Sequence, residues 1–440
     1  MDMERKVPPA MMRRVVIASV LGNALEWFDF AIFGLFAVII SRLFFSAESE
    51  FASLLLTLAT FGVGFAVRPL GGVVLGIYGD RVGRKKALSL TILLMAVGTG
   101  LMGVLPTYAA IGIAAPILMV LARLIQGFST GGEFSGATTM LIEFAPRRLR
   151  GFYGSFQMCS QALAFSCGAL AAYLLTSHLT PESLDAWGWR IPFLFGIIIG
   201  PVGWIIRTHL DESPEFQAYA STRPRAARPG VRASLADLFG NHPRAIMSTM
   251  GVCIVGTVSA YVFVFFMPIF AKKQMGLPIA DVNLATFFAT AVLVVCCPLS
   301  GYLSDRFGRR AVFVPGIIAY GIAAYALFAH FVQSPSYESF LLAQVVIAFF
   351  MSFFWGPTPV TMTEVFPVGV RSTGASITYN VAVLLFGGLA PLYNTWLVQA
   401  TGSDMAPIYY VMVSVVIGVA GALALPAADA RQASAGTQAA

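Results

Sequence analysis

Apolar residues gather into twelve long runs: roughly 15–40, 51–78, 87–105, 112–142, 151–176, 189–207, 244–270, 282–303, 311–331, 338–363, 373–399 and 406–426. A helix needs about 20 residues to cross a hydrocarbon core of roughly 30 Å, and these runs are near or above that length. Gly and Pro punctuate most of them, as membrane helices tolerate when neighbours satisfy the freed backbone groups. The pattern predicts an all-α membrane protein of twelve transmembrane helices. The first run is too long for a signal peptide, carries two acids and lacks a small-residue cleavage site, so it is expected to persist as a helix.

Composition agrees. Hydrophobic residues make up 58% of the 440 and charged residues 11%, with a mean hydropathy of +0.79. Soluble domains run near 25% charged, so this chain has too little polar surface to cover itself in water. A net charge of +7 raises the question of nucleic acid, but 22 of the 28 Lys and Arg fall in the N-terminus, the even-numbered connections and the C-terminus. Arg42, Arg190, Lys272 and Lys273 lie near the opposite face. That asymmetry places both termini in the cytoplasm of an inner-membrane protein. Basicity here sets topology, and no nucleic-acid partner is expected. Cys159, Cys167, Cys253, Cys296 and Cys297 fall inside spans without zinc-ligand spacing and read as small apolar residues.

The chain repeats itself. "GIYGDRVGRKK" (76–86) follows span 2 and "GYLSDRFGRR" (301–310) follows span 8, with Gly76, Asp80, Arg81, Gly83 and Arg84 recurring as Gly301, Asp305, Arg306, Gly308 and Arg309. After span 4, Glu143, Pro146 and Arg150 form E-x-x-P-x-x-x-R, repeated after span 10 by Glu364, Pro367 and Arg371. Two unrelated patterns at nearly one offset mark an internal duplication. The division is a six-helix bundle over 1–207, a cytoplasmic linker over 208–243 with a short helix near Leu235–Phe239, a second bundle over 244–427 and a polar, disordered tail over 428–440. Tandem six-helix halves are the plan of a secondary transporter, with the solute held between them near mid-membrane.

With the doubled D-R-x-G-R loop, "RLIQG" (123–127) and "GWRIP" (188–192), the chain resembles the major facilitator superfamily. "GNALEWFDF" (22–30), "RPLGG" (68–72) and "GFYGSF" (151–156) look like its metabolite:proton symporter branch. The resemblance covers residues 14–426. It implies alternating access driven by a proton gradient, no cofactor, and a chain that works as a monomer in the lipid bilayer.

Five ionisable residues fall deep in spans, all in the first half: Glu26, Asp29, Arg68, Arg123 and Glu133. A charge at bilayer centre costs roughly 2.5–3.5 kcal/mol on insertion scales, so such groups face the bundle and pair. Counting about 1.5 Å per residue puts Glu26, Arg68 and Glu133 at one level, Asp29 a turn higher and Arg123 higher still. Glu26 and Asp29 are therefore candidate proton sites. Arg123, Arg68, Asn23, Gln126, Tyr379 and Asn380 are candidate solute contacts. The competing assignment is a permanent Glu26–Arg68–Glu133 ion network that only fixes helix packing, and Arg68, followed by Pro69 and a Gly-rich turn, fits it best.

The cytoplasmic motifs read as a latch. Asp80, Arg84, Glu143 and Arg150, with Asp305, Arg309, Glu364 and Arg371, are expected to pair when that side is closed. Gly83 and Gly308 permit the tight turn.

No phosphate-cradling loop, metal cluster or zinc motif appears, so an enzyme is not expected. "GFSTG" (127–131) matches G-x-S-x-G but lies inside a membrane helix without a preceding strand. A channel fits duplicated halves poorly; a sensor or a downhill carrier with this fold would not need the buried acids. The solute is an organic anion or a zwitterion. "FFSAESEFASLLLTLATFG" (44–62) and "VVLGIYGDRVGR" (73–84) look like citrate and tricarballylate carriers, although those tend to carry glutamine where Trp27 stands. "GGEFSGATTMLIEFAP" (131–146), "YNVAVLLFGGLAP" (379–391) and "PIYYVMV" (407–413) look like proline/betaine carriers. A tricarboxylate wants two or more cations, and Arg68 and Arg123 are the deep ones. A zwitterion wants one cation plus an aromatic cage, which Tyr261, Phe265, Trp355 and Tyr379 could build. Osmosensing carriers commonly end in a long charged extension, whereas here the last charged residue is Arg431. The expectation is a di- or tricarboxylate, with a zwitterionic osmolyte as the alternative.

Overall fold

The computed structural model describes residues 9–45, 49–71, 74–75, 84–131, 134, 138, 141–142, 144–197, 231–366 and 371–425. Among these, every regular element is helical. The first half begins with α1 (Pro9–Leu35) and α2 (Ala37–Phe44), separated at Phe36. It continues with α3 (Glu50–Ala66), α4 (Arg84–Val104), α5 (Ala114–Thr130) and α6 (Arg150–His178). Nine helices of the described residues are long and apolar enough to cross a membrane, with Leu90–Val104 and Ala114–Thr130 as shorter apolar helices. The sixth expected span is described as helix over 190–197.

The connection between halves holds α7 (Val231–Asn241), around the expected Leu235–Phe239. Residues 198–230 and the tail lie outside the described residues, and the expected domain limits with them. The second half runs α8 (Pro243–Ala260), α9 (Met267–Lys273), α10 (Ile279–Phe307), α11 (Arg309–Gln333), α12 (Tyr337–Trp355), α13 (Thr358–Glu364), α14 (Arg371–Ala382), α15 (Ala390–Thr401) and α16 (Ala406–Ala424). Two of its spans carry a π-helical turn, Tyr261–Phe266 between α8 and α9 and Val383–Gly388 between α14 and α15.

Helix ends explain two sequence motifs. Gly308 of the second D-R-x-G-R loop has φ 92°, a conformation that costs glycine little and other residues much, and α10 stops there. Arg190 of "GWRIP" donates to the Gly103 and Leu105 carbonyls at 3.0 and 2.7 Å. It thus satisfies acceptors that the end of α4 leaves open.

The halves meet along α6 and α10, and α3 lies against the Val383–Gly388 turn. Within the first half, α3 and α5 approach backbone to backbone: a Cβ on Gly127 would overlap the Gly64 carbonyl. Small residues of this kind are what lets membrane helices come so close.

Candidate functional site

Glu26 and Arg68 are 1% and 2% exposed and form an ion pair, with Arg68 Nη2 donating to Glu26 Oε1 at 3.1 Å. The Arg68 guanidinium also sits 5.2, 4.9 and 4.8 Å from the ring centroids of Trp27, Phe30 and Phe65. These contacts offset part of the cost of burying the cation. The common level expected for Glu26 and Arg68 agrees with this geometry. Glu133, the third member of the expected network, lies outside the described residues.

Asp29 and Arg123 are linked through two neutral side chains. Arg123 Nη1 donates to Gln126 Oε1 at 2.7 Å, Gln126 Nε2 donates to Thr99 Oγ1 at 2.6 Å, and Thr99 Oγ1 donates to Asp29 Oδ2. Arg123 has no exposed surface, lies 3.7 Å from the Phe33 ring centroid, and keeps Nε and Nη2 without a hydrogen-bond partner among the described residues. An unpaired buried donor is costly, so these N–H groups favour an incoming acceptor. Arg68 and Arg123 share one ring: their guanidinium carbons are 4.9 and 5.5 Å from Phe30.

Asn23 is placed elsewhere. Its Nδ2 donates to the Gln157 carbonyl and to Ser160 Oγ at 3.1 and 2.6 Å, and its Oδ1 accepts from Gln157 Nε2 at 2.9 Å. The amide is engaged in tying α1 to α6, so a solute could reach it only by breaking those bonds. Tyr379 stacks on Phe134 at 3.7 Å between centroids, and Asn380 Nδ2 donates to the Gly131 carbonyl and Ser376 Oγ. Both therefore bridge the halves.

Around the two arginines runs an aromatic cluster drawn from both halves. Trp27 meets Phe165, Phe165 meets Phe265 and Trp355, and Tyr261 packs on Phe61, Phe65 and Phe265. The Trp27 Nε1–H and the Tyr261 hydroxyl are buried without partners among the described residues.

Of the residues expected in the latch, Asp305, Arg309 and Glu364 come together. Arg309 holds Asp305 at 2.7 Å and Glu364 at 3.3 Å, all within the second half. Asp305 crosses to the first half by accepting from the Gly151 and Phe152 amides at 2.7 and 2.8 Å. The Arg150 side chain, one of the eight expected latch residues, forms no ion pair among the described residues, and its Nε has no partner among them. The first amides of α6 have no acceptor within their own helix and sit at its positive end, so they take the carboxylate instead. Asp80 and Glu143 lie outside the described residues, as do the side chains of Arg84 and Arg371. At the opposite face, Lys273 Nζ and Glu50 Oε2 pair at 2.6 Å across the halves, over a cleft of about 230 Å³ lined by Leu54, Phe266, Phe270 and Val398.

Thr99, Gln157 and Ser160 carried no charge or motif to draw attention to them, and the aromatic girdle was legible only as scattered rings. Duplicated helical halves closing over paired and half-paired charges define a secondary transporter. The chain belongs to the major facilitator superfamily, whose members carry solutes across membranes and are not enzymes, and it is a multi-pass membrane protein. Residues 15–232 match the "Sugar (and other) transporter" family and 249–439 the "Major Facilitator Superfamily" family. A citrate-proton symporter of Klebsiella pneumoniae is 38% identical over 90% of this chain and 88% of its own. A proline/betaine transporter of Salmonella typhimurium is 34% identical over 93% of this chain and 82% of its own. The E. coli xylose transporter XylE, in a partially occluded inward-open conformation, has the same fold, with a TM-score of 0.73 at 18% identity over 94% and 97% of the two chains.

Proposed function

We propose that the protein is a proton-coupled symporter of a small organic di- or tricarboxylate, working by alternating access with both termini in the cytoplasm. The observation that carries this reading is Arg123: a fully buried cation with two N–H-bearing nitrogens unpartnered among the described residues, joined to Asp29 through Gln126 and Thr99. A solute carboxylate docks on the free edge of Arg123 and brings a second negative charge toward Asp29. Like charges in a low-dielectric site disfavour each other, so Asp29 takes up a proton as the solute binds. Glu26 stays in its pair with Arg68, which makes Asp29 the exchanging acid. Arg68 and Arg123 against the shared Phe30 ring supply the two cations that a dianion wants. The excess of basic residues at the terminal face supports a cytoplasmic assignment, with Asp305 and the α6 amides closing that side.

A second reading, uptake of a zwitterionic osmolyte, is favoured by the aromatic cluster of Trp27, Phe165, Tyr261, Phe265 and Trp355, which offers π faces to a quaternary ammonium group. One experiment separates the two. Purified protein in proteoliposomes with an imposed inward proton gradient is offered labelled citrate against succinate, 2-oxoglutarate, proline and betaine. Gradient-dependent citrate accumulation, blocked by the other carboxylates, is the expected result. Accumulation of proline or betaine with citrate inert overturns the carboxylate in favour of the osmolyte.

A further inference from the structure

We propose that Thr99 is a positioning residue for proton coupling, its hydroxyl joining Asp29 to the Gln126–Arg123 pair and turning over when Asp29 takes up a proton. The inference rests on the reading of Asp29 as the proton site. It extends that reading to a side chain on α4 that touches neither solute nor an ion-pair partner.

Thr99 has no exposed surface, so its hydroxyl must find partners within the protein. It accepts from Gln126 Nε2 at 2.6 Å. Its single hydrogen has two acceptors within reach, Asp29 Oδ2 and the Met95 carbonyl at 3.0 Å. With Asp29 ionised, the hydrogen points to the carboxylate. With Asp29 protonated, the new carboxyl O–H donates to Thr99 Oγ1, and the Thr99 hydrogen rotates to the Met95 carbonyl. Gln126 keeps its donation in both states, because a hydroxyl oxygen has two lone pairs to give. One proton is added to Asp29, one hydrogen bond reverses direction, and the Thr99 hydroxyl both donates and accepts in either state.

The orientation of Gln126 is fixed from the other end. Its Oε1 accepts from Arg123 Nη1, so Nε2 must face Thr99. Any solute that draws Arg123 away loosens Gln126 and is felt at Thr99. A direct Arg123–Asp29 ion pair would resist protonation by Coulomb attraction at contact distance; the two-residue bridge keeps the cation in range without that lock. The charged groups that act on Asp29 are Arg123 from α5 and Glu26 from α1, the latter held by Arg68. From α4 it meets Thr99. From the 190–197 helix it meets Gly196, where an added Cβ would stand 3.0 Å from Asp29 Oδ1 and press on the Thr99 methyl.

The test compares full-length wild type, Thr99→Val and Thr99→Ser in proteoliposomes. Infrared difference spectra follow the carbonyl stretch of the protonated acid against pH without any solute, the band being assigned by its loss in Asp29→Asn. Thr99→Ser is expected to titrate with wild type. Thr99→Val, of nearly the same shape but without the hydroxyl, is expected to move the midpoint by about one pH unit or more, a tenfold change in proton affinity. Should Thr99→Val not fold, Thr99→Ala removes the same hydroxyl. If wild type titrates but the Val or Ala variant titrates at the same pH, the role of Thr99 is overturned while Asp29 stands. If wild type shows no Asp29 band and no gradient-driven uptake of citrate, succinate, proline or betaine, the symport reading falls and takes this inference with it.

Discussion

Arg68 Nη2 lies 3.1 Å from Glu26 Oε1 with both side chains sealed from solvent, so removing either charge takes a buried ion-pair partner from the other. Removing one partner of a buried pair costs about 3–5 kcal/mol, mostly because the remaining charge is left uncompensated. Glu26→Gln and Arg68→Gln are each expected to lower the melting temperature of detergent-purified protein markedly. The double variant Glu26→Gln/Arg68→Gln should be less destabilised than the sum of the singles. Additive losses would show that the pair is not energetically coupled.

Asp29→Asn is expected to abolish uphill accumulation while leaving solute exchange across the membrane in place. The measurement is counterflow against gradient-driven uptake of the same labelled solute. Retained pH-driven accumulation in Asp29→Asn would remove Asp29 from the coupling mechanism.

For Arg123, substitution by Gln should weaken binding of an anionic solute by at least about tenfold, the scale of one lost charge-assisted hydrogen bond. Arg123→Lys is expected not to restore it, because an ammonium lacks the planar fork that faces Gln126 and the incoming acceptor together. Full rescue by Lys would mean that Arg123 acts as a point charge alone.

The close contact of α3 and α5 is one-sided. A Cβ on Gly127 would overlap the Gly64 carbonyl, whereas one on Gly64 would stand 3.5 Å from the Arg123 carbonyl, an ordinary contact. Gly127→Ala should therefore cost about 1–3 kcal/mol through forced separation of the helices, and Gly64→Ala should be nearly silent. Equal melting temperatures for the two would contradict this packing.

At the two ends of the molecule, Asp305→Asn weakens the terminal-face closure and Lys273→Gln removes the opposite pair. The expected effects on cysteine accessibility are opposite: the first exposes positions on the terminal side, the second positions on the far side. No change from either would mean that neither contact governs opening.

Much of this was legible in the sequence because charge is rare inside a membrane. Glu26 and Arg68 could be matched by depth alone, and the second D-R-x-G-R loop announced both Gly308 and the acid that binds α6. Thr99 could not be found that way. A threonine in an apolar helix is as well read as a helix that bonds its own backbone, and only the neighbouring α1 and α5 give its hydroxyl a task. The π-helical turn at Tyr261–Phe266 was equally silent, since "YVFVFF" contains neither the Pro nor the Gly that marks a break. At the latch the sequence offered side chains, while the contact across the halves is made by the backbone amides of Gly151 and Phe152 on Asp305.

The Gly64–Gly127 contact reaches into selectivity. Backbone touching backbone leaves no side-chain slack between α3 and α5, so the two helices move as one body. Arg68 rides just past the end of α3 and Arg123 in α5, both against Phe30. The backbone positions that carry them are therefore expected to keep one interval within the first half. On the proposed carboxylate reading, two cations held so would measure length: an acid whose carboxylates match their interval would be held at both ends, and one that is longer or shorter at one.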